Sequence, residues 1–140
     1  MSDPSTEVFT KPWAELFRDQ INQSADYRRH GAAWEAPVTL EMSFRGSAEP
    51  RTVVLDLHRG TCEKARCGGA SEAGLVIRSD VPGWRKILAG RMDPIWGIMS
   101  GKLKLMRGSL SELVPYALAA KALVDSAAKI DASFPPEEGP

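Results

Sequence analysis

The sequence has little of what usually marks an enzyme or a membrane protein. It holds only two cysteines, and a lone pair makes no disulfide framework. It carries no excess of either charge: Lys plus Arg and Asp plus Glu stand at 18 each. The overall field therefore draws the chain neither to nucleic acid nor to an anionic membrane. No stretch approaches the roughly 20 apolar residues of a spanning helix. The opening "MSDPSTEVF" lacks the charged start and apolar run of a secretory signal, so a cytoplasmic protein is expected. Phosphate loop, nucleophile elbow and dinucleotide fingerprint are all missing, and no cofactor is expected. At 140 residues the chain is one ordinary domain with a single core.

What is present is periodicity. Trp13, Leu16, Phe17, Gln20, Ile21 and Ser24 share a face at helical spacing, with Pro12 near the start. A short helix follows from Ala25 to His30 and ends at Gly31. In "PVTLEMSF", Val38, Leu40, Met42 and Phe44 alternate with polar residues, the signature of a half-buried strand. After the turn "RGSAEP", Val53, Leu55 and Leu57 repeat the pattern. "TCEKARC" reads as a polar edge strand. The loop "GGASEAG" leads to "LVIRS", with Leu75 and Ile77 alike in direction. Hairpin spacing of these four strands favours antiparallel pairing.

Helices and one more strand complete the order. Ser79-Asp80 offers an N-cap to a helix whose Val81, Trp84, Ile87 and Leu88 share a face, ended by Gly90. Asp93-Pro94 repeats the start signal, with Met92, Ile95, Ile98 and Met99 on one side. Gly101 then opens a strand in which Leu103 and Leu105 oppose Lys102 and Lys104. Met106 and Trp96 fall off the main faces, at the surface. Ser109 and Glu112 form a capping box. Pro115 lies too deep in that helix to be accommodated, so a break is expected before it. Beyond it Tyr116, Ala120, Leu123, Ala127 and Ile130 recur at three- and four-residue steps, while Lys121, Asp125 and Lys129 face away. "SFPPEEGP" is a frayed tail. The expected organisation is a flexible N-terminus (1–9), one domain (10–131) and a disordered tail (132–140).

Two clusters could carry chemistry. Asp56, His58 and Cys62 lie close in sequence, and a Cys–His pair can act as a nucleophile or join a zinc site. Against this, a turn follows His58 at once and no fourth ligand stands at metal-motif spacing. If Thr61 to Cys67 is a regular strand, Cys62 and Cys67 face opposite sides, which hinders a bridge or a shared metal. His30, at a helix end, reads as a partner of the helix dipole.

The second cluster is "WRKILAGRMDPIWGIMSGKLKLMRG", apolar and almost free of chemistry. It resembles the signature region of the sterol carrier protein type 2 family: a helix ending in glycine (Gly90), a short Asp93-Pro94 helix, a Met99-Ser100-Gly101-Lys102-Leu103 joint, a last strand and Gly108. The order of elements agrees from about Trp13 to Ile130. The end "EEGP" lacks the peroxisomal address of eukaryotic relatives, and "GTCEKARC" is richer in cysteine than their pattern. Both point to a small stand-alone prokaryotic member.

The resemblance implies an α/β fold of the α+β kind, with a five-stranded, mostly antiparallel sheet covered by helices over an apolar ligand cavity. It further implies a carrier of a hydrophobic small molecule of the sterol, fatty acid, fatty acyl-CoA or phospholipid class, with no catalytic or metal-ligating residues. The expected cavity residues are Trp84, Leu88, Ile95, Met99, Leu103, Leu105, Leu113, Tyr116, Ala120 and Leu123, all equally suited to a dry core. Met92, Met99 and Met106 add adaptable side chains. From Arg78 to Arg107 seven cations (Arg78, Arg85, Lys86, Arg91, Lys102, Lys104 and Arg107) meet only Asp80 and Asp93. On this reading Arg85 and Arg91 hold an anionic head group; a solvated face is the plainer alternative. A monomer or a homodimer, and transient contact with a membrane surface, are compatible with such a carrier. So is an accessory role beside a lipid-modifying enzyme.

Overall fold

The computed structural model describes residues 6–44, 47–68 and 74–135. The turns expected over 45–50 and 68–74 and both chain ends lie partly outside them. In chain order come β1 (Thr6–Glu7), α1 (Lys11–Gln23), α2 (Ala25–His30), β2 (Val38–Ser43), β3 (Arg51–His58), β4 (Thr61–Cys67) and β5 (Leu75–Asp80). Then follow α3 (Val81–Leu88), α4 (Pro94–Met99), β6 (Lys104–Arg107), α5 (Leu110–Leu113), α6 (Ala117–Ala128) and β7 (Ala132–Ser133).

Five strands form one sheet in the order β4-β3-β2-β5-β6. Strand β3 pairs antiparallel with β2 and β4, and β6 pairs antiparallel with β5. One junction departs from the hairpin expectation: β5 lies parallel to β2, Val38 opposite Leu75 and Ser43 opposite Asp80. Composition explains it. Leu75, Val76 and Ile77 are all buried, as a central strand requires, whereas exposed Glu63, Lys64 and Arg66 suit β4 only to an edge.

The sheet has two unlike faces. Leu40, Leu55 and Ile77 belong to the core beneath the helices. The opposite face carries Thr39, Val54 and Val76, flanked by the ion pairs Arg78–Glu41 at 2.8 Å and Arg66–Asp56 at 3.0 Å. Trp13, Phe17 and Ile21 bury the inner stripe of α1, while Leu16 is turned outward. Asn22 ties that helix to the edge strand, donating to the Cys62 carbonyl at 3.0 Å and accepting from its N–H at 2.7 Å.

The capping signals at Ser79-Asp80, Asp93 and Ser109 act as expected, and Ser24, which helical spacing grouped with the face of α1, caps α2 instead. Ser24, Asp80, Asp93 and Ser109 each accept a hydrogen bond from the backbone N–H three residues on, relieving donors that a helix start leaves unpaired. Pro115 does break its helix: α5 passes into a single 3-10 turn, Val114–Tyr116, before α6 begins. The boundaries at 10 and 131 fall inside packed structure. Strand β1 pairs parallel with β7, and Val8 and Phe9 are buried.

The cysteine geometry differs from the regular-strand expectation. A register shift sets Cys62 opposite Leu57 and Cys67 opposite Val53. An extra residue in one strand reverses the alternation beyond it, so the two cysteines share a face, spaced four residues along β3. Both are free thiols, Cys62 buried and Cys67 exposed.

Candidate functional site

Between the sheet and its helices lies a narrow apolar cavity of about 70 Å³. Its floor is built by strand alternation: Val38 and Leu40 from β2, Leu55 and Leu57 from β3, Leu75 and Ile77 from β5. Leu103 enters just before β6. The roof comes from Phe17, Tyr27, Trp34, Trp84, Ile87, Leu88, Pro94 and Leu113. Tyr116 and the α6 residues Ala119, Ala120, Leu123 and Val124 close it. None of these twenty residues is charged. The alanines let α6 approach closely, and the Trp34 ring packs edge-on against Tyr116 at 4.9 Å.

Of the ten residues expected at the cavity, Trp84, Leu88, Leu103, Leu113, Tyr116, Ala120 and Leu123 line it. Ile95, Met99 and Leu105 do not. The inward stripe of α4 runs through Pro94 and Gly97, which turns Met99 to solvent with 64% of its surface exposed and leaves Ile95 on the flank. Leu103, just before β6, is buried and reaches the cavity, while Leu105 on β6 is half-buried beside the core. Trp96 and Met106 are exposed. The floor residues were legible as a core face through their period of two; nothing in the sequence singled out Tyr27 or Trp34.

Arg85 and Arg91 stand away from this cavity. They line a separate surface depression with Val8, Trp13, Lys129, Asp131 and Phe134, at the ends of α3 and α6. The Arg85 guanidinium lies 5.1 Å from the centre of the Phe134 ring. Leu88 belongs to both walls. Among the other cations of that stretch, Arg78 is paired with Glu41 on the opposite face of the sheet.

The Asp56, His58 and Cys62 group does not converge. Asp56 is bound by Arg66 through both carboxylate oxygens, at 3.0 and 3.2 Å. His58 is exposed, with Nδ1 4.0 Å from Glu35. Cys62 lies opposite Leu57, on the other side of the strand from both. Burial pushes its thiol up to about 12, with the nearby Asp56 charge adding to the shift. A thiol that stays protonated at neutral pH is a poor nucleophile and ligand. Among the described residues no three His, Cys, Asp or Glu side chains are grouped to hold a metal ion, and no helix is long and apolar enough to cross a membrane.

No protein-family model and no curated protein matches the sequence. Solved structures do. A crystal structure of sterol carrier protein 2 is 36% identical, with a TM-score of 0.83, over 89% of this chain and 99% of that one. A conserved hypothetical protein of Thermus thermophilus, suggested to be a sterol carrier protein, is 34% identical with a TM-score of 0.82 over 94% of each chain. A ubiquinone synthesis protein, UbiJ-SCP2, shares the fold alone, at 17% identity and a TM-score of 0.52 over 89% of this chain and 97% of its own. At 36% identity to sterol carrier protein 2 over nearly that protein's whole length, and with the Asp93-Pro94 helix and Gly101 joint in place, the chain belongs to the sterol carrier protein 2 family.

Proposed function

We propose that this protein is a cytoplasmic, non-enzymatic carrier that binds the apolar part of a lipid in the cavity and transfers or presents it. The observation that carries the reading is a cavity wall of twenty residues without a charge. Such a site offers burial of apolar surface, worth about 25 cal/mol per Å², and nothing that moves protons or electrons. At about 70 Å³ it is far below the roughly 300–1,000 Å³ of sites that hold drug-sized ligands. Loading therefore requires the helical roof to move away from the sheet.

The test is native mass spectrometry of freshly purified protein, before and after solvent extraction. A bound mass that extraction removes, and that rebinds saturably as the isolated lipid, is the expected result. Protein that is folded, empty and indifferent to sterols, fatty acids, acyl-CoA and phospholipids alike would defeat the reading.

In this proposal Arg85 and Arg91 hold an anionic head group outside the cavity while the tail passes Leu88 inward. Arginine's planar fork suits carboxylate and phosphate. Replacing both by Ala should weaken palmitoyl-CoA binding and flatten its salt dependence, leaving cholesterol binding nearly unchanged. Equal loss for both ligands, or none for either, would remove the two arginines from the site. A second reading, presentation of the bound lipid to a lipid-modifying enzyme, is favoured by the shared fold of a protein named for ubiquinone synthesis. Saturable, lipid-dependent association with such an enzyme would distinguish it from free transfer.

A further inference from the structure

The large apolar side chains that stay in water come mostly from one stretch of chain. Trp96, Met99, Met106, Val114 and Leu118 are all exposed, and among the described residues only Leu16 joins them from elsewhere. Trp96 (58% exposed) and Met99 (64%) stand one turn apart on α4, on the side opposite the buried Pro94 and Gly97. Helix α4 packs against α5 and α6, and Val114 and Leu118 are exposed at the junction of those two. A single exposed apolar residue needs no explanation, but a group on neighbouring elements does.

Charge is uneven in the same stretch. From Arg85 to Leu113, Arg85, Lys86, Arg91, Lys102, Lys104 and Arg107 meet only Asp93 and Glu112. Both acids are engaged locally, Asp93 accepting the Trp96 N–H at 3.1 Å and Glu112 the Ser109 hydroxyl at 3.2 Å. Lys86, Arg91, Lys102 and Lys104 pair with no acid among the described residues. Elsewhere Arg18 is held by Asp19, Arg29 by Asp26, Arg59 by Glu35 and Arg66 by Asp56. The Leu103 N–H donates to the Gly97 carbonyl at 2.9 Å, folding the chain back along α4 and keeping Lys102 at its end.

We propose that the outer side of α4 docks on an anionic lipid bilayer, with Trp96 and Met99 in the interfacial layer and Lys102 and its basic neighbours at the headgroup phosphates. Indole rings favour that layer, and unpaired cations beside exposed apolar surface are drawn to an anionic membrane. A second copy fits less well, because a two-fold interface would set the same unpaired cations against each other. The outer side of α1 offers neither feature: Leu16 stands there among exposed Lys11, Glu15 and Asp19. On their inner side Pro94 and Leu103 line the cavity, so docking would seat part of the cavity roof on the bilayer. The inference goes beyond the cavity reading, since it concerns only the outer surface.

The experiment is flotation of the full chain with vesicles of phosphatidylcholine, alone or mixed with phosphatidylglycerol. Binding to the mixed vesicles, weakening as salt rises, is the expected result. Trp96→Ser with Met99→Ser should lower partitioning by about tenfold or more, and Lys102→Gln with Lys104→Gln should reduce the preference for phosphatidylglycerol. Leu16→Ser should change neither. Of the four tryptophans only Trp96 is exposed, so brominated phosphatidylcholine should quench the parent's emission and leave that of Trp96→Phe nearly untouched. Binding of N-phenyl-1-naphthylamine without vesicles should be equal in the parent and the serine pair; loss in both assays together would make the two residues supports of the fold and overturn their docking role. No flotation of the parent, flotation indifferent to the serine pair or equally sensitive to Leu16→Ser, a lipid preference untouched by the glutamine pair, or equal quenching in Trp96→Phe would each overturn the docking face and leave the cavity reading standing. Dimerisation abolished by Trp96→Ser, in place of flotation, would assign the face to a second copy instead.

Discussion

Two glycine joints feed the cavity wall, and they are alike in backbone and unlike in surroundings. Gly74 opens β5 with φ +85 and delivers Leu75 to the floor; Gly101 precedes β6 with φ +83 and delivers Leu103. At Gly74 an added Cβ would lie 1.9 Å from the Pro37 carbonyl oxygen, which also accepts the Leu75 N–H at 3.2 Å. At Gly101 nothing stands within 4 Å of that position. The joint before β6 hangs over solvent, its N–H on the Ile98 carbonyl at 3.2 Å. The joint before β5 is pressed against the Pro37 carbonyl that leads into β2, because β5 pairs back with β2. Equal dihedrals therefore carry unequal constraints, and the difference comes from where the sheet places each turn.

Substitution should expose that inequality. Gly74→Ala is expected to have the largest effect, about 3–5 kcal/mol, from left-handed strain combined with collision against backbone that cannot swing aside. Urea unfolding measures it, and binding of the apolar dye N-phenyl-1-naphthylamine in the cavity should weaken in parallel as Leu75 shifts. A cost near 1 kcal/mol would mean that the β2 end yields and the two joints are equivalent after all. Gly101→Val should cost about 1 kcal/mol, through backbone conformation alone, with dye affinity unchanged because no neighbour is displaced. Gly101→Asn is the finest probe: asparagine tolerates the left-handed region, so its cost should stay within about 0.5 kcal/mol. If Asn proved as costly as Val, packing rather than φ would be acting at Gly101.

The cavity was partly legible before the structure. Trp84 and Leu88 could be placed on an inward face because a capped helix with apolar steps of three and four has only one such face. Leu103 followed from alternation. Met99 and Ile95 fall outside the lining for a local reason: in a helix of six residues the apolar positions cover most of the circumference, and periodicity does not say which arc meets the core. Pro94 and Gly97, the residues that do, look in sequence like a start signal and a spacer. Leu105 falls outside the lining because an edge strand of four residues shows alternation without showing how far the core extends along it. Arg85 and Arg91 were grouped with the cavity by their neighbours in sequence, yet the end of α3 presents them to a different surface.

The sequence by itself determined the order of elements from α1 to α6, the caps on Asp80, Asp93 and Ser109, the break at Pro115 and the polar edge strand. Each depends on interactions within a few residues, or on the bare period of a hydrophobic pattern. It also carried the family resemblance through the Gly101 joint. Only the tertiary structure decided the parallel pairing of β5 with β2, the shared face of Cys62 and Cys67, the separation of Arg85 and Arg91 from the cavity, and the exposure of Met99. These depend on which distant segments meet and in what register, and one extra residue in a ladder reverses every side chain beyond it.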